Sequence, residues 1–217
     1  MKKYKYLLWD LDGTIVNTFE GITKSFAYAL EHYGIYVKDM NELSCVIGPP
    51  LYDAFVNFFN FSDKDANDGV AKYRERYNNT YIVESELYEG IKETIEKFSS
   101  LGYKHILATA KPQNFAEGLL DHYGLTDKFT FIAGATLDKS RNSKTKVLEY
   151  ILNTLSIEDV SDLVMIGDRE FDLKGADMFS IDAIGVLWGF GSYEELNSSP
   201  HIYLAKDAKD LYNYIAD

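Results

Sequence analysis

Short apolar runs alternate along the chain with longer segments in which apolar residues recur every three or four positions. The runs have the length of buried strands and lie at residues 4–9, 105–109, 129–133, 163–166, 183–188 and 202–204. Helical spacing follows Ile91, Pro112 and Ser143, with Gly102 and Gly124 after the first two segments. The alternation predicts an α/β fold with a doubly wound parallel sheet.

One region departs from this alternation, because residues 19–81 show helical spacing and no convincing strand. Helices are expected from Phe19, after Pro50 and near Ser62. The last of them carries an aromatic stripe that is expected to pack inside a small bundle rather than to bind a ligand. The region is therefore predicted to be a helical insertion in the α/β core.

Composition restricts the class of partner. The 217 residues are 46% hydrophobic and include 34 acidic and 22 basic side chains, for a formal net charge of -12. A folded protein is expected, and a non-specific nucleic-acid binder is excluded because it would carry a basic surface. A small phosphorylated metabolite remains possible as a ligand, since local charge decides binding inside a cleft.

Other features bear on the cellular location. Cys45 is the single cysteine, so an internal disulfide is impossible, and it is expected to be a buried small apolar residue. A secretory signal is not expected, because the apolar stretch after Met1 is short and runs into two aspartates. No apolar run approaches the roughly 20 residues of a membrane span. These features predict a cytoplasmic protein with no membrane partner; a monomer and a homodimer both remain open.

The most informative motif is Asp10-Leu11-Asp12-Gly13-Thr14, directly after the first apolar run. Residues two apart in an extended segment point the same way, so both carboxylates can face one cavity while Gly13 allows a sharp turn. One carboxylate can attack phosphorus, and the other can protonate the leaving oxygen and then activate water. A helix-loop-helix calcium site is excluded, because it requires other residues where Thr14 and Gly21 stand.

Three further fragments follow or flank predicted strands. Thr109 and the amide of Ala110 suit phosphate oxygens, although a threonine at a strand end is commonly a helix cap. Asp168 and Asp172 follow another strand, and gathering such anions near Asp10 implies a hard divalent cation, with Mg²⁺ the best candidate.

A lysine at the start of the helix after Ser143 is the remaining candidate. Lys144 can steady the nucleophile and the phosphate, but Lys146 competes with it for this role. A surface position is the alternative interpretation for either side chain.

Taken in this order, the four fragments resemble the haloacid dehalogenase (HAD) superfamily of phosphohydrolases. The resemblance implies that Asp10 is the nucleophile and Asp12 the general acid and base, while Thr14 supports their loop. It assigns Mg²⁺ to Asp10, to Asp12 through its backbone carbonyl, and to Asp168, with Asp172 steadying the site. Asp12 argues against carbon–halogen cleavage, because the dehalogenase members differ there.

The same resemblance assigns phosphate binding to Asp10, Thr109, Ala110 and Lys144, and it places Thr109 and Lys144 among the catalytic residues with Asp10 and Asp12. It also implies a HAD-like, Rossmann-like core at residues 1–16 and 84–217, and a helical cap at 17–83 that selects the substrate.

The segment Ile47-Gly48-Pro49-Pro50-Leu51, with Trp188-Gly189-Phe190-Gly191, is similar to the phosphoglycolate phosphatase-like branch. The first segment either faces the substrate or forms a rigid turn. The expected activity is Mg²⁺-dependent hydrolysis of a phosphoglycolate-like compound, a nucleoside monophosphate or a sugar phosphate, through an aspartyl-phosphate intermediate. A phosphosugar mutase and a non-catalytic phosphometabolite-binding protein are the alternatives.

Overall fold

The chain folds into two compact units. The computed structural model describes residues 4–138 and 140–216. One unit comprises Met1–Val16 and Leu87–Asp217, and the other is Asn17–Glu86. Within the described residues, no helix is both long enough and apolar enough to cross a membrane.

Strands and helices alternate through the first unit, whereas the second is helical. The strands are β1 Tyr6–Trp9, β2 Val16–Asn17, β3 Glu86–Leu87, β4 Lys104–Pro112, β5 Phe129–Ala135, β6 Leu163–Gly167, β7 Asp182–Val186 and β8 Tyr203–Ala205. The helices are α1 Phe19–Glu31, α2 Leu51–Phe59, α3 Asp63–Thr80, α4 Ile91–Ser100, α5 Gln113–His122, α6 Lys144–Leu155, α7 Glu170–Asp177, α8 Tyr193–Asn197 and α9 Ala208–Ala216. Short 3₁₀ helices occupy Met40–Val46, Thr126–Lys128 and Val160–Asp162.

The first unit is built on a six-stranded parallel sheet in the order β5-β4-β1-β6-β7-β8. Tyr6 of β1 pairs with Lys104 of β4 on one side and with Leu163 of β6 on the other. The strand order reverses direction along the chain at β1, and such a switch point is where open parallel sheets bind ligands. The predicted doubly wound α/β fold is confirmed.

Alternate residues of the central strands pack on opposite faces of this sheet. Leu8, Ile106 and Met165 lie in one buried cluster together with the apolar faces of α6 and α7. The neighbouring residue Trp9 instead lies with its ring centroid 6.3 Å from that of Phe98 in α4. Because both faces are covered, the strands read as continuous apolar runs in the sequence.

The second unit has an aromatic core. The ring centroid of Phe26 lies 4.8 Å from that of Phe55 and 5.1 Å from that of Tyr73, so α1, α2 and α3 share one apolar centre. Tyr73 and Tyr77 are buried and stacked, with their centroids 5.0 Å apart. The packing role expected of the aromatic stripe is therefore observed.

Several local features differ from the sequence-based expectation. β4 continues to Pro112 instead of ending at 109, because Pro112 still pairs with Ala135 of β5 after a register shift that follows Ala108. β7 ends at Val186, two residues before the expected 188. Cys45 is exposed, not buried, because its 3₁₀ helix turns Leu43 and Val46 inward instead.

The imidazole of His105, a residue of β4, is buried next to Trp9 of β1. The indole Nε1 of Trp9 donates to His105 Nδ1 at 3.0 Å, and Nε2 lies 3.1 Å from Ser99 Oγ. Because Nδ1 accepts, the proton of the neutral ring resides on Nε2. Burial lowers the pKa of His105 from 6.5 to about 4.

This buried histidine predicts a loss of stability on mild acidification. The unfolded chain takes up a proton at His105 below about pH 6.5, whereas the folded chain resists protonation down to about pH 4. In the variant His105→Gln, whose amide oxygen can still accept from Trp9, this contribution is absent. Between pH 7 and pH 5 the wild type should therefore lose about 2 kcal/mol more unfolding free energy than the variant.

Urea unfolding at both pH values measures this difference, and His122→Gln at the exposed end of α5 is the matched control. A stability gap between wild type and His105→Gln that is the same at both pH values would contradict the assignment.

Candidate active site

The first two site residues follow β1 at the switch point of the sheet. The Asp10 amide donates to the carbonyl of Ile166 at 2.9 Å and thereby extends the pairing of β1 with β6. Since Trp9 pairs with Ile166, Asp10 lies beside Gly167, the last residue of β6, and Asp168 directly follows Gly167 in the chain. Parallel pairing thus brings together two carboxylates that lie 158 residues apart in the chain.

A tight loop follows Asp10. The amides of Thr14, Ile15 and Val16 lie 3.2, 2.9 and 3.0 Å from the Leu11 carbonyl, which accepts from all three. Gly13 takes a φ of +83°, and a Cβ built there would lie 2.1 Å from Asp168 Oδ2. Only glycine satisfies both the backbone conformation and the contact.

Asp168 is fully buried and held from two sides. The hydroxyl of Thr14 donates to its Oδ1 at 3.1 Å, and the Phe190 amide donates to Oδ2 at 2.8 Å. The indole of Trp188 donates to the Thr14 carbonyl at 3.0 Å. This hydrogen bond links the segment that carries Phe190 to the loop that carries Thr14. A Cβ at Gly189 would lie 2.3 Å from Asp168 Cβ. The segment that the sequence analysis used only to indicate a family branch therefore fixes a carboxylate of the site.

Lys144 is the central cation of the site. Its Nζ lies 2.9 Å from Asp10 Oδ1 and 2.7 Å from Asp172 Oδ1, and it donates to the carbonyl of Ala108 at 2.5 Å. The side chain is only 4% exposed. Lys144 thus joins residues that follow or belong to β1, β4 and β6.

The choice between the two candidate lysines follows from these contacts. Lys144 is the first residue of α6, and the hydroxyl of Ser143 caps that helix by accepting from the Lys146 amide at 3.4 Å. The Lys146 ammonium instead lies on the exposed side, 3.3 Å from Asn142 Oδ1. The geometry brings Lys144, and not Lys146, to the aspartates.

Lys111 is a site residue that the sequence analysis missed. Its Nζ donates to both carboxylate oxygens of Asp12, at 2.9 and 3.1 Å, and its side chain is 3% exposed. The missed signal was the spacing, since Lys111 lies two positions after Thr109 and shares its direction in an extended strand. The apolar run that predicts the strand ends at 109, two residues before Lys111.

Thr109 and Ala110 lie in the same part of β4. The Thr109 side chain is buried, and its hydroxyl accepts from the Lys111 amide at 3.2 Å. The preceding residue, Ala108, supplies the carbonyl that binds Lys144. Thr109 and Ala110, which are predicted to bind phosphate, thus lie on β4 between Ala108 and Lys111.

Burial and mutual repulsion perturb the acids of this site. Burial, with the charges of Asp172 and Asp10, raises the pKa of Asp168 well above its usual range. Burial likewise raises the pKa of Asp172 to about 6, although Lys144 acts in the opposite direction. For Lys144, burial disfavours the charged form, but Asp10 and Asp172 outweigh it and raise the pKa. A cation close to the aspartates would relieve their repulsion.

The donor set fits a hard divalent cation. One oxygen each from Asp10, Asp168 and Asp172 lies within 4.8 Å of the others, and oxygen ligands are those that Mg²⁺ prefers. Among the described residues, Asp10 Oδ1 is buried without a well-aligned hydrogen bond, although the Lys144 ammonium lies close to it. When ionised, the three clustered acids and Asp12 exceed the charges of Lys111 and Lys144 by two.

The side chain of Asp12 lies outside that acidic cluster. Its carboxylate is paired with Lys111, so the backbone carbonyl remains the atom that the family resemblance assigns to a metal. The structure thus brings Asp10 and Asp168 together as predicted, with Asp172 as the third carboxylate.

Comparison with known proteins agrees with this architecture. A model of the haloacid dehalogenase-like hydrolase family matches residues 7–186. A 5'-nucleotidase of Pseudomonas aeruginosa is 35% identical over 209 residues, which cover 96% of this chain and 94% of that protein. The crystal structure of a predicted phosphatase from Clostridium acetobutylicum superposes with a TM-score of 0.94 at 36% identity, covering 98% of both chains.

The tyrosine-protein kinase PtkA of Mycobacterium tuberculosis is also similar, with 33% identity over 185 residues. That alignment covers 85% of this chain but only 62% of PtkA, so the chain spans less than two thirds of that protein.

The chain belongs to the haloacid dehalogenase-like hydrolase family. The resemblance drawn from the four sequence fragments is therefore confirmed, and so is the prediction of an enzyme from the phosphatases of this family.

The two candidate lysines should differ sharply in their effect on stability. Lys144→Met leaves buried carboxylates without their counter-charge and should lower the unfolding free energy at pH 7.5 by about 3 kcal/mol or more. Lys146→Met removes an exposed charge and should change it by no more than about 0.5 kcal/mol. Urea unfolding in the presence of a chelator measures both. Equal losses in the two variants would contradict the central position given to Lys144.

Proposed function

We propose that the protein is a Mg²⁺-dependent phosphomonoester hydrolase that acts on a small phosphorylated metabolite through an aspartyl-phosphate intermediate. The observation that carries this proposal is the placement of two carboxylates of one loop beside two different ammonium groups. Asp10 lies against Lys144 within the acidic cluster, and Asp12 lies against Lys111 outside it. Separate surroundings suit separate roles, as nucleophile and as proton carrier.

In the first step, an Asp10 oxygen bonds to phosphorus while the ester P–O bond breaks. The leaving oxygen takes a proton from Asp12, so a neutral alcohol departs. Lys144 compensates negative charge at the nucleophile, and Thr109 with the Ala110 amide binds phosphoryl oxygens. Mg²⁺ held by Asp10, Asp168 and the Asp12 carbonyl, with Asp172 nearby, would supply further charge neutralisation on the phosphoryl group.

In the second step, the intermediate is hydrolysed. Asp12, now a carboxylate, takes a proton from water as the water oxygen bonds to phosphorus. The bond between phosphorus and the Asp10 oxygen breaks, which releases phosphate and restores the Asp10 carboxylate. Asp12 returns to its protonated form, so the cycle is complete.

The substrate class rests on the family and on the relatives. Nucleoside monophosphates, phosphoglycolate-like compounds and sugar phosphates are the proposed candidates, and the 5'-nucleotidase relative supports testing nucleoside monophosphates first. The helical unit, Asn17–Glu86, is proposed to act as the cap that selects the leaving group. Ranking these substrates by kcat/KM measures that selection directly.

Replacing the nucleophile should abolish turnover. Asp10→Asn should lower the rate of phosphate release from p-nitrophenyl phosphate and from AMP at least about a thousandfold, because the amide is not a nucleophile. Chelation of divalent cations should lower the wild-type rate in the same assay. Asp121→Asn, which alters an exposed aspartate of α5, is the matched control. Equal phosphate release by wild type and Asp10→Asn would refute the nucleophile assignment.

A hydrolase and a mutase are distinguished by their products. Incubation with glucose 1-phosphate should yield free phosphate and glucose, since water is the proposed acceptor. Accumulation of an isomeric sugar phosphate without free phosphate would overturn the hydrolase proposal.

A further inference from the structure

The side chain of Lys111 is buried, which is uncommon for a lysine. Its side chain is 3% exposed, and its ammonium donates to both oxygens of Asp12. Burying an ammonium and ordering four side-chain torsions cost free energy, which the paired carboxylate offsets. The consequence for Asp12 is that its carboxylate is held in one orientation although it belongs to a loop.

The two lysines of the site divide the aspartates between them. Lys144 contacts Asp10 and Asp172, whereas Lys111 contacts Asp12. Both lysines depend on β4, because Lys111 belongs to this strand and Lys144 donates to its Ala108 carbonyl. β4 therefore helps to set the distance between Asp10, the proposed nucleophile, and Asp12, the proposed proton carrier.

We propose that Lys111 is a positioning residue for proton transfer, which holds Asp12 toward the leaving oxygen and then toward water. This inference rests on the proposed function, because it presupposes that Asp12 is the acid and base. The ammonium also draws the Asp12 carboxylate away from the cluster of Asp10, Asp168 and Asp172. Without Lys111 the carboxylate loses both hydrogen bonds from that ammonium. Proton transfer depends on the position of the carboxylate within hydrogen-bond reach of the leaving oxygen and of water.

The two chemical steps respond differently to a misplaced Asp12, which makes the inference testable. p-Nitrophenolate leaves without needing a proton, so formation of the phosphoenzyme does not depend on Asp12 with this substrate. Hydrolysis of the phosphoenzyme still requires a base to activate water. A variant in which only the position of Asp12 is lost should form the phosphoenzyme quickly and hydrolyse it slowly.

The experiment is rapid-mixing kinetics of Lys111→Met with p-nitrophenyl phosphate and Mg²⁺. We expect a burst of about one p-nitrophenol per enzyme at a rate close to that of the wild type, followed by steady-state turnover slowed about 10- to 100-fold. Covalent phosphoenzyme should accumulate and be visible by intact mass. Asp12→Asn should show the same pattern, and the double variant should be no slower than Asp12→Asn alone, because the two residues act as one unit.

Three comparisons identify the cause of any loss. Lys146→Met alters an exposed lysine and should match the wild type in both phases. Lys111→Gln, whose amide can still donate one hydrogen bond to Asp12, provides a second variant if Lys111→Met does not fold, and a burst with a smaller loss of steady-state rate is expected. Alkyl phosphates should suffer larger losses than p-nitrophenyl phosphate, because their leaving groups need the proton.

Several results would overturn the inference. Burst and steady-state rates that fall in proportion indicate general damage to the site, and a raised KM with unchanged kcat indicates that Lys111 binds substrate instead. An unchanged steady-state rate in both Lys111 variants also excludes the positioning role. Failure of the proposed function is a separate outcome, in which the wild type forms no phosphoenzyme and Asp10→Asn retains activity.

Discussion

Electrostatic repulsion among converging carboxylates is the constraint on which the functional part of this molecule depends. The parallel sheet delivers Asp10 and Asp168 to adjacent strand ends, and the first turn of α7 adds Asp172. Folding would be penalised by this convergence if no opposite charge were present. The Lys144 ammonium supplies that charge from the start of α6, with the Ala108 carbonyl as an additional acceptor.

The site carries excess negative charge when its acids are ionised, yet two of its carboxylates already have hydrogen-bond donors. The hydrogen bonds from Thr14 and Phe190 fix Asp168, and that from the Arg169 amide, 3.1 Å from Asp172 Oδ2, fixes Asp172. The carboxylates of Asp168 and Asp172 are therefore oriented before any cation or phosphate arrives. Preorganisation of this kind reduces the cost of binding and of charge rearrangement during a reaction.

The sequence predicted the fold because the strands are buried on both faces and appear as uninterrupted apolar runs. It also predicted which acids would meet, since the carboxyl ends of parallel strands share one edge. It could not choose between Lys144 and Lys146, because both lie in the first turn of α6, and which side of that turn faces the aspartates depends on how the helix packs on the sheet. Lys111 was missed because the apolar run ends at 109, and the extension of β4 to Pro112 depends on the pairing of Pro112 with Ala135 of a neighbouring strand.

The crowding around Asp168 limits where this chain can change. Cβ positions at Gly13 and Gly189 fall 2.1 and 2.3 Å from atoms of that side chain, so neither loop tolerates even a methyl group. A substitution at either glycine would therefore displace the Asp168 side chain. Side-chain variation that leaves the reaction centre intact is therefore confined to positions other than these two glycines.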